Sequence, residues 1–152
     1  MRKPSFSPPR PPRVADRFVL DAFAVLALFQ DEPGAAEVQQ LLVRQSRGEV
    51  ELYFSVINLG EALYNTERRL GPAKAAILLA ALQQLPIEVV PVDQTLAVAT
   101  ARIKVRTRMG YADCFAVALA AGLGATIVTG DPGFEAATDI APILWLTQRA
   151  TS

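Results

Sequence analysis

The stretch from Gly110 to Phe134, GYADCFAVALAAGLGATIVTGDPGF, constrains the fold of this chain more than any other. It reads as an apolar helix, a glycine turn, a short strand from Ala125 to Thr129, and a turn with Pro132 and Gly133 placed for type II. Asp113 is the only charged residue between Tyr111 and Gly130. A helix that is apolar on every side is normally a buried one. A carboxylate carried into such a place must pair, bind a cation or take up a proton. Asp131 follows the strand, and in α/β sheets ligands collect just outside the carboxyl ends of strands. Each acid also has a plain reading: Asp113 suits a helix N-terminus, and Asp131 suits the start of a turn. The pair points further than either member.

Composition narrows the chemistry. A chain of 152 residues with 51% hydrophobic content predicts one domain with a real core. The absence of histidine removes imidazole as general base or metal ligand, and with it the Ser-His-Asp triad. Cys114, the single cysteine, builds neither a zinc site nor a disulfide and reads as a small buried hydrophobe, in keeping with a reducing, cytoplasmic compartment. Five of the fifteen bases and one of the fifteen acids precede residue 18, leaving ten bases and fourteen acids in the rest. A mildly acidic body is not a nucleic-acid binder by bulk charge, so any basic surface must be local. Arg102, Lys104, Arg106 and Arg108 are the candidate, although cations at a helix end also complement its dipole. The longest uncharged run, Cys114 to Gly130, has 17 residues and three glycines, so no membrane span is expected.

Along the chain, residues 1–16 are basic and proline-rich and are expected to form a disordered arm outside the fold. Residues 17–147 then read as one domain, with 148–152 as a tail. Arg17 to Asp21 predicts a buried strand ending in an acid, and Asp21 can cap the helix Ala22 to Phe29. Pro33-Gly34 restarts a helix that ends near Gly48. Leu52 to Ser55 predicts a second strand, with Ser55 capping a helix from Val56 to about Leu70. On that helix Val56, Leu59 and Leu63 fall on one side, and Asn58, Glu61 and Asn65 form a polar face. Gly71-Pro72 breaks the chain before Ala73 to Leu85, whose Ala and Leu content suggests burial on two sides or an oligomer contact. Ile87 to Val90 predicts a third strand, Asp93 a cap for a helix from Gln94 to about Val105, and Ile143 to Leu146 a last strand. Strands alternating with helices predict an α/β domain with a mostly parallel sheet covered on both faces. Asp21 and Asp131 then share one edge, and the helices carrying Glu61 and Asp113 can lean over it.

Four segments in this order resemble the PIN-domain nucleases, and within them the VapC-type toxins of toxin-antitoxin pairs. They are Val19-Leu20-Asp21, Asn58-Leu59-Gly60-Glu61-Ala62, Ala112-Asp113-Cys114-Phe115-Ala116, and Val128-Thr129-Gly130-Asp131-Pro132-Gly133-Phe134. The resemblance implies a three-layer α/β/α domain whose acids Asp21, Glu61, Asp113 and Asp131 bind Mg²⁺ or Mn²⁺ and cleave RNA. It implies a cognate antitoxin partner too. Family members often carry Ser or Asn two residues after the first Asp, whereas Phe23 stands here. The hydrogen bond such a residue would make is then either missing or supplied by the hydroxyl of Thr129.

Elementary electrostatics agrees with a cation. Two carboxylates about 4 Å apart repel by ~4 kcal/mol at an effective dielectric of about 20, so converging acids need a cation or a shared proton. With neither histidine nor paired cysteine, Mg²⁺ suits the donors better than zinc does. Arg102, Lys104, Arg106 and Arg108 would hold the RNA backbone, and the Ala73 to Leu85 helix suggests a homodimer. A receiver domain also clusters acids around Mg²⁺, but it needs a phospho-acceptor Asp after the third strand and a Lys after the fifth. Val90-Pro91-Val92-Asp93 is a poor acceptor loop, and no lysine follows Lys104. A haloacid-dehalogenase-like phosphatase needs a second Asp where Phe23 stands. A scaffold that only binds would have no use for four acids.

Overall fold

The structure, a computed structural model, describes residues 15–148. The expected arm falls almost wholly outside these residues, as does most of the expected tail. Five strands, β1 (Asp16–Leu20), β2 (Val50–Ser55), β3 (Ile87–Val90), β4 (Thr126–Thr129) and β5 (Ile143–Trp145), form one sheet in the order β3-β2-β1-β4-β5. Every pairing is parallel, so the sheet is wholly rather than mostly parallel among the described residues. Six helices connect the strands: α1 (Ala22–Phe29), α2 (Ala35–Ser46), α3 (Val56–Leu70), α4 (Pro72–Gln83), α5 (Gln94–Arg106) and α6 (Tyr111–Leu123).

The helices divide between the two faces of the sheet because successive strand side chains point opposite ways. Leu20, Leu52, Phe54, Ile87 and Val128 join Val25, Val38, Ala62 and Leu78 in a core under α1 to α4. Val19 and Ile127 join Val117, Ala120 and Phe134 in a second core under α6 and the segment after β4. Three layers result. In α6, Cys114 to Ala120 are all buried, which follows from its place against β1, β2 and β4 on one side and α3 and α5 on others.

Strand order positions the site. After β3 the chain crosses back past β1 to place β4 on its far side, so the order reverses between β1 and β4. In doubly wound sheets the crevice outside the carboxyl ends at such a reversal is where ligands bind. Asp21 follows β1 directly and Asp131 lies two residues beyond β4. The same order sets this domain apart from receiver domains, whose sheet runs 2-1-3-4-5.

Three local expectations need correction. The segment after Asp131 is a 3₁₀ helix, Pro132–Ala137, rather than a type II turn. Gly133 is not among the positive-φ glycines, and a type II turn needs a positive φ there. The Asp131 side chain instead accepts the Gly133 N–H at 2.9 Å and caps the turn. On α3 the inward face is Asn58, Ala62 and Thr66, with Val56 exposed. A helix packed against both α4 and α6 presents its narrow side chains where the approach is closest, and Asn58 is tolerated there because it finds a hydrogen bond. Finally, α4 is buried on one face only, through Ala75, Leu78 and Leu82, while Ile77 is 61% exposed. The sheet already has its covering layer, so among the described residues nothing covers the outer side of α4.

Candidate functional site

Asp21 is the buried acid of the group. It is 2% exposed, and as N-cap of α1 its Oδ1 accepts the Ala24 N–H at 2.8 Å. Its Oδ2 accepts the Thr129 hydroxyl at 2.5 Å, and Thr129 Oγ1 in turn accepts the Asp131 N–H at 3.0 Å. One hydroxyl thus ties the end of β1 to the turn after β4. Capping and site chemistry are not rivals here, since one carboxylate does both with different oxygens. Asp113, expected to be the buried acid, is half-buried: it lies in the first turn of α6, ahead of the buried run that starts at Cys114.

Glu61 and Asp113 sit on helices that a single buried amide holds together. Asn58 is fully buried, and its Nδ2 donates to the carbonyl of Ala112 at 3.1 Å, joining α3 to the start of α6. Its Oδ1 has no hydrogen-bond partner among the described residues. Asn58 stood in the sequence as one member of a polar face. The small residues Ala62 and Thr66 at its helical spacing were the available sign that this face is the packed one.

Asp21, Glu61 and Asp113 are all shifted in the same direction. Burial pushes the Asp21 carboxyl up to about 7; the Thr129 and Ala24 hydrogen bonds oppose this, and the charges of Asp113 and Asp131 add to it. Burial, followed by the charges of Glu61 and Asp131, raises Asp113 to about 6. Glu61 is raised by burial and by Asp131, with the Asn58 amide drawing it back. Each of these groups feels another acid, and among the described residues none is offset by a lysine or arginine. Asp21, Glu61, Asp113 and Asp131 therefore share one electrostatic neighbourhood at the sheet reversal. Among the described residues no three acids are drawn together tightly enough to form a ready-made ligand cluster. The donor chemistry nonetheless fits a hard divalent cation: carboxylate oxygens only, a negative field, and no compensating base.

The four bases have different surroundings. Lys104 Nζ donates to the carbonyl of Met109 at 2.8 Å and closes the loop before α6. Arg106 pairs with Asp139 at 3.2 Å. Arg102 and Arg108 are exposed and make no ion pair among the described residues. The cluster is thus partly occupied by the chain itself.

Beside the acids lies a cleft of about 480 Å³ whose wall includes Phe23, Gly130 and Asp131. A Cβ on Gly130 would stand 2.3 Å from Phe23 Cε1, so the ring edge rests where only glycine leaves room. This contact joins residues over a hundred positions apart, and nothing in the local sequence announces it.

A family model described as PIN domain matches residues 18–140, and the chain belongs to that family. Within it the fold is similar to VapBC from Salmonella typhimurium bound to DNA, with a TM-score of 0.69 and 21% identity over 85% of this chain and 97% of that one. It is similar also to VapBC2 from Rickettsia felis bound to a promoter DNA fragment, at 0.66 and 15% over 86% and 98%. Mycobacterium tuberculosis VapC20, described as a sarcin-ricin-loop cleaving toxin, matches at 0.63 and 19% over 79% and 94%. No curated protein matches the chain in sequence. Membership of this family sets aside the receiver and phosphatase readings. Among the described residues no helix is long and apolar enough to cross a membrane.

Proposed function

We propose that this protein is a metal-dependent endoribonuclease, the toxin of a VapBC-type toxin-antitoxin pair. The observation that carries the proposal is the gathering of Asp21, Glu61, Asp113 and Asp131 at the reversal of strand order, each raised or raising its neighbours with no cation to offset it. Asp21 and Asp113, with Glu61 and Asp131 directly or through water, would hold Mg²⁺ or Mn²⁺, whose chemistry when bound is to neutralise phosphoryl charge and make water a nucleophile at neutral pH. The chain's own contributions are positional. Thr129 fixes the Asp21 oxygen it bonds and, through the Asp131 N–H, the turn that carries Asp131. Asn58 fixes Glu61's helix against Asp113's. Arg102 and Arg108 are the bases most available to RNA phosphates, while Lys104 and Arg106 must first leave Met109 and Asp139.

The toxin reading is supported by the VapBC and VapC20 likenesses, since a member of the VapBC family of toxin-antitoxin systems and a sarcin-ricin-loop cleaving toxin share the fold. An antitoxin segment covering the acidic edge follows, as do a homodimer through the open side of α4 and residence in the cytoplasm. The test is cleavage of RNA by the full chain. Mg²⁺ or Mn²⁺ should support cuts that leave a 5′-phosphate and a 3′-hydroxyl, and Asp113→Asn should abolish them while remaining folded. Metal-independent cleavage to a cyclic phosphate would falsify the mechanism.

A further inference from the structure

The cleft beside Asp131 has a chemistry of its own. Its apolar walls are flat: the Phe23 ring and the rings of Pro33 and Pro132, with the bare backbone of Gly130 between them. Its polar lining residues are Glu32 and Asp131, whose carboxylates are acceptors, together with Gln148, whose amide donates to the Gly130 carbonyl. Among the described residues no lysine or arginine lines it. A phosphate placed there would meet two carboxylates and no base of the described chain, so the lining favours a nucleobase over a backbone phosphate. A planar group with apolar faces and N–H donors along its edge meets every surface favourably.

We infer that this cleft is a nucleobase subsite, with Phe23 as its stacking wall, for a nucleotide adjoining the scissile phosphate. The inference rests on the nuclease reading, because Asp131 belongs both to the acid group and to the cleft. That continuity places the base within one nucleotide of the reacting centre. Two rim carboxylates favour edges that carry N–H donors, so guanine, with its ring N–H and exocyclic amine, is accepted best and uracil least. Phe23 is also the position where a small hydrogen-bonding residue is often expected. Thr129 already serves Asp21, which leaves Phe23 free to face the cleft. The side chain is set by Gly130, whose missing Cβ is what admits the ring.

Two measurements test the subsite. Trp145 is the only tryptophan. The full chain carrying Trp145→Phe and Phe23→Trp therefore has one reporter in the cleft, to be titrated with GMP and UMP. GMP should quench it saturably and at least about fivefold more tightly than UMP, as expected where stacking and edge donors act together. Separately, Phe23→Leu in the otherwise native chain keeps apolar volume but removes the π face. It should raise KM for RNA by about 5- to 150-fold, with a smaller change in kcat, and flatten base preference at one position beside the cut. Phe23→Tyr should restore both. An unchanged KM and preference in Phe23→Leu overturns the subsite. So does quenching by neither nucleotide, or by a VapB-type antitoxin peptide alone, which would make the cleft a protein-docking surface. Were the native chain to cleave nothing, the nuclease reading would fall, and the quenching measurement alone would decide the subsite.

Discussion

Two carboxylate neighbourhoods on one sheet behave in opposite ways. Glu51, on β2, accepts the Tyr53 hydroxyl at 2.6 Å and the Arg17 Nε–H at 3.1 Å, and these partners, Tyr53 foremost, hold its carboxyl below the usual range. Asp21, on the neighbouring strand's end, is also twice hydrogen-bonded, yet it rises to about 7. The difference is not the number of donors. Glu51 lies in water beside a cation, whereas Asp21 is buried among acids. Hydrogen bonds alone do not offset the loss of hydration of a charge, and the missing contribution must come from a counter-ion or a proton. Glu51 carries its own answer as an ordinary surface pair, whereas Asp21, Asp113 and Glu61 have no such base beside them among the described residues.

That contrast can be broken or sharpened by experiment. The largest effect belongs to Asp113→Asn, which should abolish Mg²⁺-supported RNA cleavage because it removes a charged oxygen ligand of the ion. Measured cleavage near the native rate would put the chemistry elsewhere. Next is the pH dependence of the metal-free chain. Asp21 and Asp113 have folded-state pKa values above their unfolded ones, so the folded state binds more protons between about pH 4 and 7. Stability should therefore increase as pH falls from 7 towards 5 and be lost as pH rises through about 6 to 7, by a few kcal/mol at most, on the order set by 1.4 kcal/mol per unit. Denaturant unfolding at pH 5 and pH 8 checks this, and Asp113→Asn should shrink the difference. An opposite slope in that window would mean the acids are compensated within the chain.

Divalent ions supply the third handle. At about a hundred times its dissociation constant, Mn²⁺ should stabilise the native chain at pH 8 by about 2.7 kcal/mol, seen as a Tm rise that Asp113→Asn reduces. A Tm indifferent to Mn²⁺ in both chains would separate the acid group from metal binding. Gly130→Ala comes fourth. Its Cβ meets Phe23, and overpacking of this kind costs about 1 to 3 kcal/mol. The open cleft lets the ring yield, so the lower end is expected, and Phe23→Ala in the same chain should relieve it. The smallest effect is reserved for the other neighbourhood. Glu51→Gln should leave cleavage unchanged and shift the unfolding midpoint only slightly, since exposed pairs contribute little.

Much of this was open to reading from residue order. Asp21, Ser55 and Asp93 announced three helix starts by cap chemistry, and each caps as expected. The apolar run after Asp113 announced a buried helix. Where reading failed, the deciding contact was made by residues far apart. Asn58 looked like one more side chain of a polar helix face until Ala112 met it across 54 positions. Phe23 looked like a gap in a pattern until Gly130 proved to be its seat. The basic run looked uniform until Met109 and Asp139 took up two of its members.

Residue order alone determined most of the strands and helices, that the sheet is mostly parallel and doubly covered, that imidazole chemistry is absent, and that one cysteine builds neither a zinc site nor a disulfide. Those follow from periodicity, capping and composition, which act over a few residues or over the whole chain at once. Only the tertiary structure decided that Asp21 and not Asp113 is the buried acid, that Thr129 links it to Asp131, and that an aromatic wall stands beside them. The physical reason is that hydration and charge depend on neighbours in space, and the return of β4 to the far side of β1 chooses those neighbours.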